Sequence, residues 1–272
     1  MPVLPEREPT IAELFNLRGR AALVTGGAGH LGSAMCRALA EAGASVVVTS
    51  READKAQAFA DTLPRPFEQS HYGVALDQGD DSSRHRAFAE AVKLSGGLDI
   101  LINNALTRSS AVHDWTNVSS DEFDEHLRNN TAYFILARLM REHAVSRAAP
   151  ASIVLIGSMY GVVGSYPEVY RDVSVASVVQ YHALKGGTVH LARHLAVYWA
   201  ADRVRVNCLS PGPFPKPSGI PAEMERRLVE KVPQARMGLP HELKGAILLL
   251  TSDAGSYITG QNLLVDGGWT AW

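Results

Sequence analysis

Only two of the 272 residues are cysteine, Cys36 and Cys208, far apart and each in an apolar context. Two are too few for a disulfide framework, and they read as reduced, buried thiols of a cytosolic protein. Charge of either sign is also not in excess. Lys and Arg number 26 against 28 Asp and Glu, a net of -2, and no dense basic run occurs. That excludes a nucleic-acid footprint but leaves room for a local site for a small anion. Long apolar runs are missing too. One of the longest, Gly245 to Leu250, falls far short of a membrane span. The first residues, Met1-Pro2-Val3-Leu4-Pro5-Glu6-Arg7-Glu8-Pro9, hold acids and prolines where a secretory leader needs a continuous apolar core. Asn117-Val118-Ser119 therefore carries no weight as a glycosylation acceptor. The ten histidines show no ligand spacing with carboxylate support, and His190 and His194, four apart, fall inside a helical pattern. The expectations are a cytoplasmic protein with no metal, no membrane and no nucleic-acid partner.

What is present is an ordinary globular composition, 46% hydrophobic and 20% charged. After an arm over residues 1–18, with a short helix over 11–15, short apolar runs alternate with amphipathic stretches. Strands are predicted at 21–24, 45–49, 72–76, 98–102, 152–156, 204–209 and 262–265. Helices are predicted at 31–42, 54–62, 82–94, 121–147 and 178–200, the first ended by Gly43 and the third opened by a capping serine. The strands are apolar throughout rather than alternating, which suits a parallel sheet covered on both faces. Repeated βα units predict an α/β fold over 19–272. Its form is a single doubly wound Rossmann domain of about seven strands, with helices on both faces and the ligand at the strands' C-terminal ends.

The first βα turn reads Thr25-Gly26-Gly27-Ala28-Gly29-His30-Leu31-Gly32. Glycines there let the backbone turn tightly and approach a pyrophosphate at the helix N-terminus. Further on stands Tyr181-His182-Ala183-Leu184-Lys185. A tyrosine and a lysine four apart share one helix face. A free phenol, with a pKa of about 10, is a poor base near neutrality, and a neighbouring ammonium stabilises its phenolate. Such a tyrosine can exchange a proton with a substrate oxygen while hydride moves at carbon.

Together these segments resemble the short-chain dehydrogenase/reductase family, loosely its gluconate 5-dehydrogenase-like members, over nearly everything after Asn16. The resemblance implies a catalytic set of Asn130, Ser158, Tyr181 and Lys185. In it Ser158 hydrogen-bonds the carbonyl or alkoxide oxygen, and Asn130 holds a water in the proton relay. Asn129 is adjacent, so the register there is open by one residue. The implied cofactor residues are Gly26, Gly29, His30, Leu31, Gly32, Asp77, Asn104 and Ala105, then Pro211, Gly212 and Phe214, with Tyr181 and Lys185 themselves. Asn103 is expected to support the sheet. His30 departs from the family's middle glycine, so its ring points outward or makes a contact of its own. Leu106 stands where the Asn-Asn-Ala segment usually ends in glycine, and the usual threonine after Pro211-Gly212 is absent. Just past the second strand, an acidic residue would read the ribose hydroxyls of NAD. Ser50 and Arg51 stand there instead, a hydroxyl and a cation suited to a 2′-phosphate, so NADP(H) is favoured over NAD(H).

Ser158 and Tyr181 are separated by roughly ten residues more than the family's usual spacing. The loop 159–180, with Tyr166, Glu168, Tyr170, Arg171 and Asp172, could line a pocket for a hydroxylated or carboxylated substrate or form an elongated surface loop. Residues 213–235 read as a lid. The expected function is NAD(P)-dependent interconversion of a secondary alcohol and a ketone, on a sugar acid or polyol. A 3-oxoacyl-type carbonyl reductase is the alternative, and a non-catalytic dinucleotide-binding sensor or scaffold the reading from another class. The resemblance also implies a homotetramer or homodimer, and the Trp269-Thr270-Ala271-Trp272 tail reads as a surface packed on a neighbour.

Overall fold

The computed structural model describes residues 7–107, 113–172, 176–216 and 219–272. The start of the arm (1–6), three loop positions (173–175) and two lid positions (217–218) lie outside the described residues. Seven strands form one parallel sheet: β1 (Ala21–Val24), β2 (Ser45–Ser50), β3 (His71–Ala75), β4 (Ile100–Asn103), β5 (Ala151–Ile156), β6 (Val204–Pro211) and β7 (Asn262–Val265), in the order β3-β2-β1-β4-β5-β6-β7. The chain steps outward from β1 to β3, then returns to place β4 on the other side of β1. That reversal opens a crevice above the C-terminal ends of β1 and β4, where folds of this kind take ligands.

The described α-helices are α1 (Ile11–Leu14), α2 (His30–Glu41), α3 (Ala53–Ala60), α4 (Asp81–Ser95), α5 (Ser120–Ser146), α6 (Pro167–Tyr170), α7 (Val179–Trp199), α8 (Ala222–Lys231) and α9 (Lys244–Thr251). Alternation along the strands explains their unbroken apolarity. Leu23, Leu101 and Ile153 pack with Phe88 of α4, Tyr133 and Met140 of α5 and Leu195 of α7. Ala22, Val24, Ile100 and Val154 pack with Met35 and Leu39 of α2, Ala56 of α3 and Ile247 of α9. The central strands thus have two buried faces, while the edge strands β3 and β7 are only partly covered. Cys36 and Cys208 lie in these layers, unpaired, and burial raises the pKa of both thiols, which makes them inert.

Three sequence expectations change. The cap of α4 is Asp80, whose carboxylate accepts from Ser82 N and Ser83 N, rather than a serine. An ionised acceptor bonds those N–H groups more strongly than a hydroxyl does and favours the positive end of the helix dipole. The stretch 159–172, expected as a loop, carries a 3₁₀ turn at Met159–Gly161 and the short α6. Trp269 is 1% exposed inside its own chain, so of the tail's two tryptophans only Trp272 faces solvent. Gly267 and Gly268, both left-handed (φ 66° and 93°), turn the chain back and deliver Trp269 into a third cluster with Met159, Val169, Leu228 and Val232.

Candidate active site

The candidate dinucleotide half is built where β1 hands over to α2. Thr25 Oγ1 accepts from the backbone N–H groups of Asn104 and Ala105, both at 2.9 Å. Asn104 Nδ2 donates back to the carbonyls of Thr25 (2.9 Å) and Gly26 (3.1 Å). The turn is thereby stitched to the end of β4 at the switch point. Gly26 is left-handed (φ 61°), and a Cβ on Gly32 would stand 2.3 Å from Gly26 O and 2.9 Å from Gly27 Cα. Backbone lies directly on backbone here, and no side chain fits between.

α2 begins bare. Its N-cap is Gly29, no side chain caps it, and no acid stands in its first turn. The first N–H groups and the positive end of the helix are therefore left for an anion. His30 is half-buried, and its Nε2 is enclosed without a hydrogen-bond partner among the described residues. Leu31 beside it is half-buried against the α2-side core. An uncapped helix start, a side-chain-free turn and an enclosed imidazole nitrogen fit a dinucleotide pyrophosphate.

The far end of this half lies past β2 and β3. Ser50 Oγ donates to Glu52 O (2.9 Å) and accepts from Glu52 N (3.1 Å), so its hydroxyl closes its own turn. Arg51 next to it is exposed. Asp77 is exposed after β3, with Oδ1 accepting from Gly79 N at 2.9 Å. Asn103 is fully buried and donates to Tyr133 O at 3.0 Å, tying β4 to α5. At the end of β6, Gly212 N donates to Val265 O at 2.9 Å. There Pro211 closes the strand, and the Phe214 ring packs on Gly238, where a Cβ would come within 2.5 Å of it.

The reactive half gathers side chains from α5, the end of β5 and α7. Lys185 is 3% exposed, and its Nζ donates to Ile156 O at 2.6 Å, two residues before Ser158. The same Nζ lies 5.7 Å from the Tyr181 ring centroid, as the four-residue spacing on one helix face requires. Ser158 is buried, and its Oγ accepts from Tyr160 N at 3.1 Å, which leaves its own hydrogen to donate elsewhere. Asn130 donates from Nδ2 to Leu184 O (3.0 Å) and accepts from Thr188 Oγ1 (2.7 Å), which docks α5 on α7 beside Lys185.

The neighbouring asparagine does something else. Asn129 Oδ1 accepts from Gln78 Nε2 (2.9 Å) and Thr107 N (2.8 Å), joining the segments that follow β3 and β4. Of the two, only Asn130 reaches α7 through the hydrogen bonds described. Two contributors escaped sequence reading. Gly187 admits the Asn130 amide, since a Cβ there would stand 2.7 Å from Nδ2; a glycine pair deep in a long helix pattern was its signal. His126, buried one turn before Asn130, meets the Tyr181 ring edge-to-face with centroids 6.2 Å apart. Nothing in the sequence marked it, because that contact is made between two helices.

Known proteins resemble the chain along nearly its whole length. A family model described as enoyl-(acyl carrier protein) reductase matches residues 26–270. Galactitol 2-dehydrogenase of Rhizobium johnstonii is 34% identical over 266 residues, covering 95% of this chain and 98% of that protein. Sorbose reductase of Schizosaccharomyces pombe is 32% identical over 269 residues, covering 95% and 99%. Among solved structures, a gluconate 5-dehydrogenase from Burkholderia cenocepacia in complex with NADP and tartrate superposes with a TM-score of 0.83 at 28% identity. That match covers 97% of this chain and 100% of the other.

Proposed function

The chain belongs to the short-chain dehydrogenase/reductase family and is an NAD(P)-dependent oxidoreductase of CH–OH groups, and from that premise we propose that it interconverts a secondary alcohol and a ketone on a polyol or sugar acid, with NADP(H) preferred. The observation that carries the mechanism is the convergence of Ser158, Tyr181, Lys185 and Asn130 from three elements onto one region. The nicotinamide, when bound, supplies or accepts the hydride. In the reducing direction Tyr181 gives its phenol proton to the substrate oxygen, and in the oxidising direction it takes that proton back. The buried Lys185 ammonium favours the phenolate and so lowers the cost of that transfer. Ser158 donates its remaining hydrogen to the same oxygen. Asn130 holds the first half of α7 through Leu184 O and Thr188, and positions the relay that restores the proton.

Gly26, Gly29, His30, Leu31 and Gly32 are assigned to the pyrophosphate, Asp77, Asn104 and Ala105 to the adenosine, and Pro211, Gly212 and Phe214 to the nicotinamide. The bare start of α2 supports the first assignment. Arg51 is assigned to the 2′-phosphate, with Ser50 shaping its turn. Replacing Arg51 with Ala removes a charge-assisted contact, so NADP(H) affinity is expected to fall ~10- to 100-fold with NAD(H) affinity unchanged. Calorimetric titration with both dinucleotides checks it; an equal loss on both would remove the 2′-phosphate assignment, and no loss on either would make Arg51 a bystander.

Residues 159–180 are taken as the substrate loop and 213–235 as the lid. Supporting this pairing, Arg227 donates to Glu168 O (3.0 Å) and Arg171 O (2.6 Å), and Lys231 pairs with Glu168 at 2.8 Å. Turnover of galactitol, sorbose or gluconate with NADP(H) supports the substrate class, while turnover of 3-oxoacyl esters alone would replace it. The unpaired, buried thiols suit a cytoplasmic setting. A homotetramer or homodimer is supported by Val197 and Tyr198 on α7 and the terminal Trp272, which are 77%, 70% and 70% exposed. Sedimentation is expected to show an oligomer, and a monomer at micromolar concentration would refute it.

A further inference from the structure

Ser158 and Tyr181 stand on different elements, one just after β5 and the other in the first turn of α7, so something must fix the distance between them. Tyr160 touches both neighbourhoods. Its backbone N–H donates to Ser158 Oγ at 3.1 Å. Its ring stacks on His182, the residue after Tyr181, with centroids 4.6 Å apart and planes inclined by 27°. Its hydroxyl shares a 2.8 Å hydrogen bond with Tyr170 at the end of α6. Trp269, from the C-terminal turn, meets the Tyr160 ring edge-on at 6.2 Å and the Tyr166 ring at 5.4 Å.

Burial pushes the Tyr160 phenol up, helped by Tyr170, and burial pushes His182 below the usual histidine range. His182 Nε2 is also engaged by Ser177 Oγ at 2.9 Å, which limits rotation of the ring on which Tyr160 rests. The contacting rings Trp269–Tyr160–His182 form an aromatic spacer running from the last turn of the chain to the first turn of α7. Stacked and edge-on ring pairs have preferred separations, so such a spacer resists both compression and slack.

We propose that Tyr160, braced by Trp269, is a positioning residue that sets the separation between the Ser158 hydroxyl and the Tyr181 phenol. The proposal rests on the roles given above to Ser158 and Tyr181. It makes the C-terminal turn part of the geometry of the site, at a remove from the reacting atoms.

The test uses Tyr160→Leu, Tyr160→Phe and Trp269→Leu in the full-length protein. Crystal structures of the wild type and of Tyr160→Leu measure the Ser158 Oγ to Tyr181 Oη separation directly. The separation is expected to change by about 0.5 Å or more, the tolerance within which a catalytic pair must be held. With galactitol and NADP⁺, kcat for Tyr160→Leu is expected to fall ~10- to 100-fold with KM for NADP⁺ unchanged. Tyr160→Phe, which keeps the stack, is expected to restore most of kcat, and Trp269→Leu to reproduce the loss at smaller amplitude. An unchanged separation overturns the proposal. So does a loss in Tyr160→Leu of melting temperature and NADP⁺ affinity together, since that is a folding role only. Should Tyr160→Leu not fold, the same two measurements on Trp269→Leu decide. Tyr181→Phe run in parallel keeps the questions separate. If it retains turnover, the assignment of Tyr181 fails, while the measured separation still judges the spacer.

Discussion

Replacing Tyr181 with Phe is expected to lower kcat by ~10²- to 10⁴-fold, the range contributed by a positioned acid–base group, while the affinity for NADP(H) stays within about threefold. The substitution removes one oxygen and leaves the ring, its edge-to-face contact with His126 and its place over Lys185 intact. The proposed loss is of proton exchange with the substrate oxygen. Ser158 keeps its hydrogen bond from Tyr160 N, so the substrate oxygen keeps one donor. Steady-state kinetics beside calorimetric titration separates the two effects. Unchanged turnover would remove the mechanism, and a parallel loss of dinucleotide affinity would show that the phenol serves binding instead.

A second large effect is expected from Gly32→Ala, and its sign is the informative part. In an ordinary helix, glycine to alanine stabilises by about 0.5–1 kcal/mol, because alanine loses less backbone entropy on folding. Gly32 is the third residue of α2, yet its added Cβ would meet Gly26 O at 2.3 Å, Gly27 Cα at 2.9 Å and Asn104 Nδ2 at 3.0 Å. Two of these are backbone atoms of the turn itself, and the third belongs to the stitch that holds the turn to β4. None can give way without moving the turn to which the pyrophosphate is assigned. We expect a net loss of roughly 1–3 kcal/mol of stability, as for an overpacked core. NADP(H) affinity is expected to fall tenfold or more, the equivalent of ~1.4 kcal/mol. Urea unfolding gives the first quantity and calorimetry the second. A stabilised variant with intact affinity would show that the turn opens without cost.

Much of this molecule could be read from local pattern. The β-branched and leucine-rich runs, each too short for a helix, mark strands buried on both faces, and the seven expected are the seven observed. The strand–glycine–helix junction at Thr25 and the tyrosine–lysine pair on α7 are also local. One is a turn requirement and the other a helical spacing, so neither depends on distant contacts. The limits of local reading appear at Asn129 and Asn130. In sequence they are interchangeable, and only the packing of α5 on α7 sends Asn130 to Leu184 O and Asn129 to Gln78 and Thr107.

The same limit explains the tail. A tryptophan three residues before the last looks like exposed surface until two left-handed glycines are seen to fold it onto Met159, Val169 and Leu228. The sequence by itself determined the order of the elements, the glycine turn between β1 and α2 and the tyrosine–lysine spacing on α7, because each is written in residues within a few positions of one another. Only the tertiary structure decided which asparagine meets α7, that Tyr160 and Trp269 join Ser158 to the first turn of α7, and that the loop before α7 is tied to α8. Those are contacts between residues tens of positions apart, chosen by which side chains fill space together once the sheet has formed.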